Sequence, residues 1–329
     1  MASLPSLGAT RELLSQMFDR AWGAGRLADD DADADILLPA TGRDTVAIEN
    51  VSDTARWVAV YRAMESSRPD ALFRDPFAER LAGTRGIEIV DGMKRGRPLA
   101  YPMIVRTAVF DEMIMGRVSI GAVDTVINLA AGLDTRPWRL PLPRDLRWFD
   151  VDLPAMTEYK IRAMQGEKPA CIYSAVAADL TDASMRRSVL ATLSIGARSI
   201  LVVTEGLLVY LKPHDVTDLA IDLHGIPAMR WWIFDMASPR LLSMMNRQWG
   251  KSLDSANAPF LFAPEEGPAF FAPAGWNVAE VRSGMDEALR LRREMPMMRI
   301  WRIVARLTSK RQLESMRLLS RFGMLERAD

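Results

Sequence analysis

The sequence predicts an α/β fold built on a mostly parallel sheet of about seven strands, and three observations point to it. From Asp124 onward, short apolar runs alternate with helical segments, as in sheets covered by helices on both faces. The runs are nearly continuous in apolar residues and end at a glycine or a carboxylate, where the chain turns away. The composition also permits a sizeable core, since 49% of the 329 residues are hydrophobic, too many for a disordered chain.

Residues 1–45 read differently from the rest. Leu14, Met17, Phe18 and Trp22 recur at helical spacing and predict one amphipathic helix. Asp29, Asp30, Asp31, Asp33 and Asp35 follow without a compensating cation and read as a solvated linker. A calcium loop would need a turn glycine and a closing glutamate at set offsets, and neither is present. Residues 1–45 are therefore an extension, and residues 46–329 a single domain. From Asn50 to Arg117 the pattern is helical. Val51-Ser52-Asp53-Thr54 offers capping groups ahead of Trp57, Val58 and Tyr61. Asp75-Pro76 restarts a helix, because proline suits a first helical turn. Pro98 and Pro102 precede Ile104, Val105, Ala108, Val109 and Met113, which share one broad apolar face.

Strands are then expected at 124–131, 146–152, 172–178, 199–204, 230–235, 276–281 and 298–305. Between the fifth and sixth lies an insert, residues 238–274, read as a lid. With neighbouring Met236, it brings Met244, Met245, Trp249, Phe260, Phe262, Phe270 and Phe271. These residues either wall an apolar substrate pocket or pack the insert onto the sheet.

Composition closes several functional classes. Lys+Arg and Asp+Glu each number 42, so the net basic footprint of a nucleic-acid binder is missing. One cysteine permits neither an internal disulfide nor a cysteine-built zinc site, and two histidines rule out a multi-histidine metal centre. No signal-type N-terminus or membrane-length apolar run is present, and the best candidate, Ile200 to Leu211, carries Glu205. A cytoplasmic protein with a small-molecule substrate, no metal and no membrane partner is the expectation.

The chemistry gathers where open α/β sheets bind ligands, beyond the carboxyl ends of the strands. The first strand runs into Ala130-Ala131-Gly132-Leu133-Asp134-Thr135, a small-residue turn that lets backbone approach a ligand. Asp150 and Asp152 end the second strand, eighteen and twenty residues beyond Gly132, the spacing that sets a carboxylate beside ribose hydroxyls. Asp179 ends the third strand and Glu205 the fourth. Any one of these carboxylates alone could simply cap the following helix, as Asp134 before Thr135 is expected to do. Four together suggest nucleoside recognition. The turn lacks the third glycine of a dinucleotide fingerprint, which counts against a nicotinamide cofactor.

At this point the residues carry a resemblance. TARWVAVYRAMES (54–66), DPFAERLAG (75–83), IVRTAVFDE (104–112), INLAAGLDTRPWRL (127–140), WFDVDLPAMTEYK (148–160), ADL (178–180) and TEGLLVYL (204–211) together resemble the leucine carboxyl methyltransferase family. That family includes bacterial O-methyltransferases of polyketide and other natural-product pathways, and the resemblance spans about residues 50 to 325. It implies a class I methyltransferase fold, Rossmann-like, that binds S-adenosyl-L-methionine. Carried over residue by residue, it implies that Arg106 grips the cofactor carboxylate, a charge-assisted pairing suited to guanidinium. Ala130 and Gly132 would line the turn beneath the cofactor, and Asp152, with Asp150 alongside, would hold the ribose. Asp179 and Leu180 would flank the adenine, and Glu205 would bind the amine. Two positions depart from the family. Glycine usually stands where this chain has Ala130, a change that matters if φ is positive there. Asp150 stands where the family often has glutamate.

The implied reaction is methyl transfer to a carboxylate or hydroxyl of a small organic acceptor, an acid or a phenol. A carboxylic acid, with a pKa of about 4, arrives ionised and needs no base, whereas a phenol, at about 10, would benefit from one. His214, at a helix start, and His224, before Gly225 at its end, read as structural. Tyr210 is a candidate substrate contact or an ordinary buried strand-end tyrosine. The other readings are methylation of a protein C-terminus and nucleotide binding without methyl transfer.

Overall fold

The computed structural model describes residues 51–92, 100–255, 259–294 and 310–328. The expected amphipathic helix and acidic linker of residues 1–45 lie outside them. Three helices come first: α1 (Val51–Ser66), α2 (Ala78–Gly92) and α3 (Ala100–Val118). There follow β1 (Thr125–Leu129), the single turn α4 (Arg136–Arg139), β2 (Arg147–Asp152), α5 (Pro154–Ala163), β3 (Ile172–Ala177) and α6 (Ala183–Leu193). Next are β4 (Ile200–Thr204), a 3-10 turn (Leu208–Tyr210), α7 (Pro213–His224), β5 (Met229–Ala237) and α8 (Pro239–Ser255). A second 3-10 segment (Gly267–Ala274), β6 (Trp276–Ser283), α9 (Gly284–Arg290), α10 (Lys310–Arg317) and β7 (Ser320–Arg327) complete the described elements.

The sheet order is β3-β2-β1-β4-β5-β7-β6. The first five strands in that order are parallel, and β7 runs antiparallel between β5 and β6. Six strands fall where the apolar runs place them, within two residues at either end. The seventh does not. The run at 298–305 lies outside the described residues, and the strand is Ser320–Arg327. Arg321, Gly323 and Glu326 interrupt its apolar pattern, so periodicity alone is silent there, yet Phe322, Met324 and Leu325 are buried between the two flanking strands.

Both faces of the central strands are covered, which explains their unbroken apolar character. Ile127, Leu129, Val202, Trp232 and Phe234 point into one core layer with Trp276 and Phe271. Val126, Leu201, Val203 and Ile233 point the other way, onto Val109, Phe110 and Met113 of α3. The alternation follows from the two-residue pleat. The insert supplies both packing residues and part of a cavity wall. Phe262, Phe270 and Phe271 pack, with Phe271 4.8 Å from Trp232 and 5.0 Å from Phe234 between ring centroids. Met236, Met244, Met245 and Phe260 line a cavity, Met236 and Phe260 from within the buried core. The side chain of Trp249 falls outside the described residues.

Register determines what meets at the carboxyl edge. Asn128 pairs with Asp150 and with Val203 across the two parallel ladders. The residues after β1, β2 and β4 therefore emerge side by side. The chain winds outward in opposite directions from β1 and β4, so this edge is the switch point where α/β sheets open a crevice.

Candidate active site

The turn after β1 is held in a left-handed conformation at two places. Ala130 has φ +52° and Gly132 φ +50°, a region that glycine enters freely and an alanine enters at a cost. A Cβ on Gly132 would lie 3.2 Å from the Ala55 Cβ of α1, so close approach as well as φ favours glycine there. The Gly132 amide donates to Asp152 Oδ2 at 2.6 Å, and the Leu153 amide donates to Asp152 Oδ1 at 2.7 Å. One carboxylate thus ties the β1 turn to the end of β2 and retains further acceptor sites. Burial raises its pKa above the ordinary carboxylate range, and the two amide bonds oppose that shift only in part.

Asp150 does not join it. It lies two residues back on the same pleated face, one step deeper beneath α5, and does not line the cavity. Its carboxylate takes Lys160 Nζ at 2.6 Å, the Trp148 indole N–H at 2.8 Å and Asn128 Nδ2 at 3.2 Å. The expectation of a second ribose-holding aspartate is corrected accordingly: Asp150 is the partner of a buried lysine.

Asp179 sits at the exposed rim beyond β3. The Thr181 hydroxyl and amide donate to its Oδ1 at 2.7 and 2.9 Å and lower its pKa. Leu180 beside it is half-buried, and both residues line the cavity.

At the other end of the edge the charges interlock. Arg106 of α3 donates from Nε to Glu205 Oε1 at 3.0 Å and from Nη1 to Asp235 Oδ2 at 3.2 Å. Asp235 also accepts the Gly206 amide at 2.6 Å. Arg136 lies 2.8 Å from Glu205, 2.7 Å from Asp134 and 2.7 Å from Asp111, and Arg139 lies 2.6 Å from Asp111. Three guanidiniums are thereby threaded between four carboxylates, the arrangement that makes buried charge tolerable. Burial works against the charge on Arg106, but Asp235 and Glu205 outweigh it and raise its pKa. Burial likewise opposes ionisation of Asp134, and Arg136, Lys160 and Arg139 override it, so its pKa is lowered. Thr135, not Asp134, is the N-cap of the single turn α4; Asp134 accepts the Arg136 amide at 2.8 Å from one position further out, and most of its role is in this network.

Tyr210 stands on the 3-10 turn after β4, not on the strand. Its ring lies 5.4 Å from Phe260, its hydroxyl is bonded to Thr54, and burial raises its pKa, so it is a neutral phenol at neutral pH. Neither histidine lines the cavity. His214 is exposed beside Asp215, and His224 packs edge-on against Trp276.

Arg106, Ala130, Gly132, Asp152, Asp179, Leu180, Glu205 and Tyr210 all line one cavity of about 1120 Å³. Reading the sequence had missed Asp235, Arg136 and Asn128. Asp235 had a usable signal, since it terminates the fifth apolar run as Glu205 terminates the fourth. The two buried partners had none, because pairing across the sheet is invisible without register.

A central parallel sheet, an antiparallel β7 slotted between β5 and β6, and carboxylates lining a cavity at the carboxyl edge define a class I methyltransferase fold. The solved structure of a DUF574 family protein from Streptomyces avermitilis superposes with a TM-score of 0.55, covering 86% of this chain and 99% of that one, at 11% identity. The profile of the leucine carboxyl methyltransferase family matches residues 55–223. Two relatives bear the name "putative S-adenosyl-L-methionine-dependent methyltransferase". One, from Mycobacterium bovis, is 31% identical over 283 residues, covering 78% of this chain and 89% of its own. The other, from Streptomyces coelicolor, is 34% identical over 185 residues, and the match covers 51% of this chain and 62% of that relative. The chain belongs to the leucine carboxyl methyltransferase family, and with it to the S-adenosylmethionine-dependent methyltransferases.

Proposed function

We propose that this protein is an O-methyltransferase that esterifies the carboxylate, or methylates a hydroxyl, of a small natural-product-like acid. The observation that carries the reading is one cavity in which Asp152, Asp179, Leu180 and the Arg106–Glu205 pair meet, lined among the described residues by no histidine or cysteine.

The residues fit S-adenosylmethionine. The turn beneath Asp152 is kept bare, since a side chain on Gly132 would run into Ala55. Asp152 keeps lone pairs for the ribose hydroxyls, and Asp179 and Leu180 offer an acceptor and an apolar face to the adenine. Arg106 has used two of its five N–H groups, which leaves donors for a carboxylate. Glu205 offers oxygens to an amine. When bound, the cofactor supplies an electrophilic methyl group on a sulfonium. The protein's own contribution is then alignment, which can provide most of the acceleration when no covalent intermediate is required.

A carboxylic acid suits a cavity lined, among the described residues, by no histidine, because it is already ionised at neutral pH. The cavity also exceeds the roughly 300–1,000 Å³ of a pocket built for one small ligand, which supports room for cofactor and acceptor together. No helix among the described residues is long and apolar enough to cross a membrane. The test is methyl transfer over a panel of aromatic and polyketide-like acids, following S-adenosylhomocysteine and identifying the methylated product. Methyl esters support the reading. Methylation of peptide C-termini with none of the acids would replace it with the protein-directed activity.

A further inference from the structure

One part of the cavity wall, a methionine-lined lobe, is assembled from distant parts of the chain. Met103 of α3, Met236 of β5, Met244 and Met245 of α8, Met285 of α9 and Met316 of α10 all line it. Five elements thus contribute these six, and with buried Met156 of α5 elsewhere on the wall, seven of the chain's 20 methionines reach the cavity. Five of the six are only half-buried, and Met236 alone is fully enclosed. Met103 and Met245 also pack on the core beneath, yet all five keep part of their surface uncovered. Several polar side chains at the border are already committed, Arg240 to Ser315 at 3.3 Å among them. Asp235 holds Arg106 and the Gly206 amide, and Arg293 holds Glu65 at 2.7 Å. A hydroxyl-rich body placed in this lobe would leave its polar groups without partners, at about a tenfold loss of affinity each. Unbranched, polarisable thioethers reshape around a flexible hydrocarbon at little cost.

We propose that the methionine-lined lobe takes the hydrocarbon tail of an amphiphilic acid, a long flexible acyl chain whose carboxylate faces Tyr210 and leaves Arg106 to the cofactor carboxylate. The proposal rests on the cofactor assignment only for which end of the acceptor is methylated. The occupancy of the lobe stands separately.

The test uses the full chain with and without saturating S-adenosylhomocysteine, titrated calorimetrically with straight-chain carboxylates from butanoate to dodecanoate. Affinity should rise about fourfold per added methylene and stop rising once the lobe is filled. Sugar acids of matched size should bind at least a hundredfold more weakly than the longest chain. Met244→Lys and Met285→Lys should each flatten the dependence on chain length while S-adenosylhomocysteine affinity stays within twofold, which also reports that the variants fold. An affinity independent of chain length in the unaltered protein overturns the proposal and leaves the cofactor reading standing. Tighter binding of rigid polycyclic acids than of chains with equal carbon number overturns it too. Failure to bind S-adenosylhomocysteine, with the chain-length dependence intact, overturns the cofactor reading and leaves the lobe assignment in place.

Discussion

Replacing Ala130 by glycine should make this protein more stable, although it removes a side chain from the wall of the site. Ala130 has φ +52°, and an L-residue with a Cβ is disfavoured in the left-handed region by about 1–2 kcal/mol. Ala130→Gly removes that strain. It also frees the unfolded chain, which offsets about 0.4–1 kcal/mol of the gain. The net expectation is a stabilisation of about 0.5–1 kcal/mol, read as a higher urea midpoint at unchanged slope. Gly132→Ala is the reciprocal experiment. Its φ is +50° and its new Cβ would stand 3.2 Å from the Ala55 Cβ, so strain and crowding add. It should destabilise by about 1–2 kcal/mol and weaken S-adenosylhomocysteine binding, because Asp152 is anchored to that turn. A destabilised Ala130→Gly together with a neutral Gly132→Ala would refute the reasoning, since both rest on one left-handed turn.

Other consequences are as direct. Arg106→Ala leaves Asp235 without its guanidinium and Glu205 with Arg136 alone, and breaking such a buried pair costs about 3–5 kcal/mol. Melting temperature and S-adenosylhomocysteine affinity should both fall, and Arg106→Lys should restore more of the stability than of the affinity, because lysine lacks the guanidinium fork. Asp150→Asn removes the partner of buried Lys160 and should cost stability on a similar scale, while cofactor affinity of the folded protein stays unchanged. Asp152 differs: its folded pKa is raised, so it takes up its proton at a higher pH than an ordinary aspartate as the solution is acidified. S-adenosylhomocysteine affinity should therefore decline from a pH above about 4 downward, and Asp152→Asn should bind weakly with that dependence gone. Turnover with a carboxylic acid should stay flat from roughly pH 6 to 9, and a steep rise across that range would indicate a phenolic acceptor or a titrating base.

The sheet was largely legible because central strands buried on both faces leave a continuous apolar signature, as Ile200–Thr204 shows. Strand β7 was not, because a strand held between two antiparallel neighbours tolerates Arg321, Gly323 and Glu326 and loses its pattern. Asp152, Asp179 and Glu205 could be placed from sequence because a carboxylate ending an apolar run must emerge at the carboxyl edge. Asp150 could not be separated from Asp152 on that logic. Both obey the same two-residue pleat, and only the reach of Lys160 from α5 shows which of them is claimed by the core. The departure at Ala130 was visible in the sequence, but its cost depended on a backbone angle that only the fold supplies. The methionines illustrate the opposite limit: Met244 and Met245 stood out within one segment, whereas Met103, Met285 and Met316 join them only through tertiary packing.

The most direct test is a single-turnover reaction with methyl-labelled S-adenosylmethionine and a chain-bearing carboxylic acid, the labelled product being identified by mass spectrometry. Labelled methyl ester and S-adenosylhomocysteine should form in equal amounts. Bound but unreacted S-adenosylmethionine with every acid, alongside a labelled peptide C-terminus, would contradict small-acid methylation.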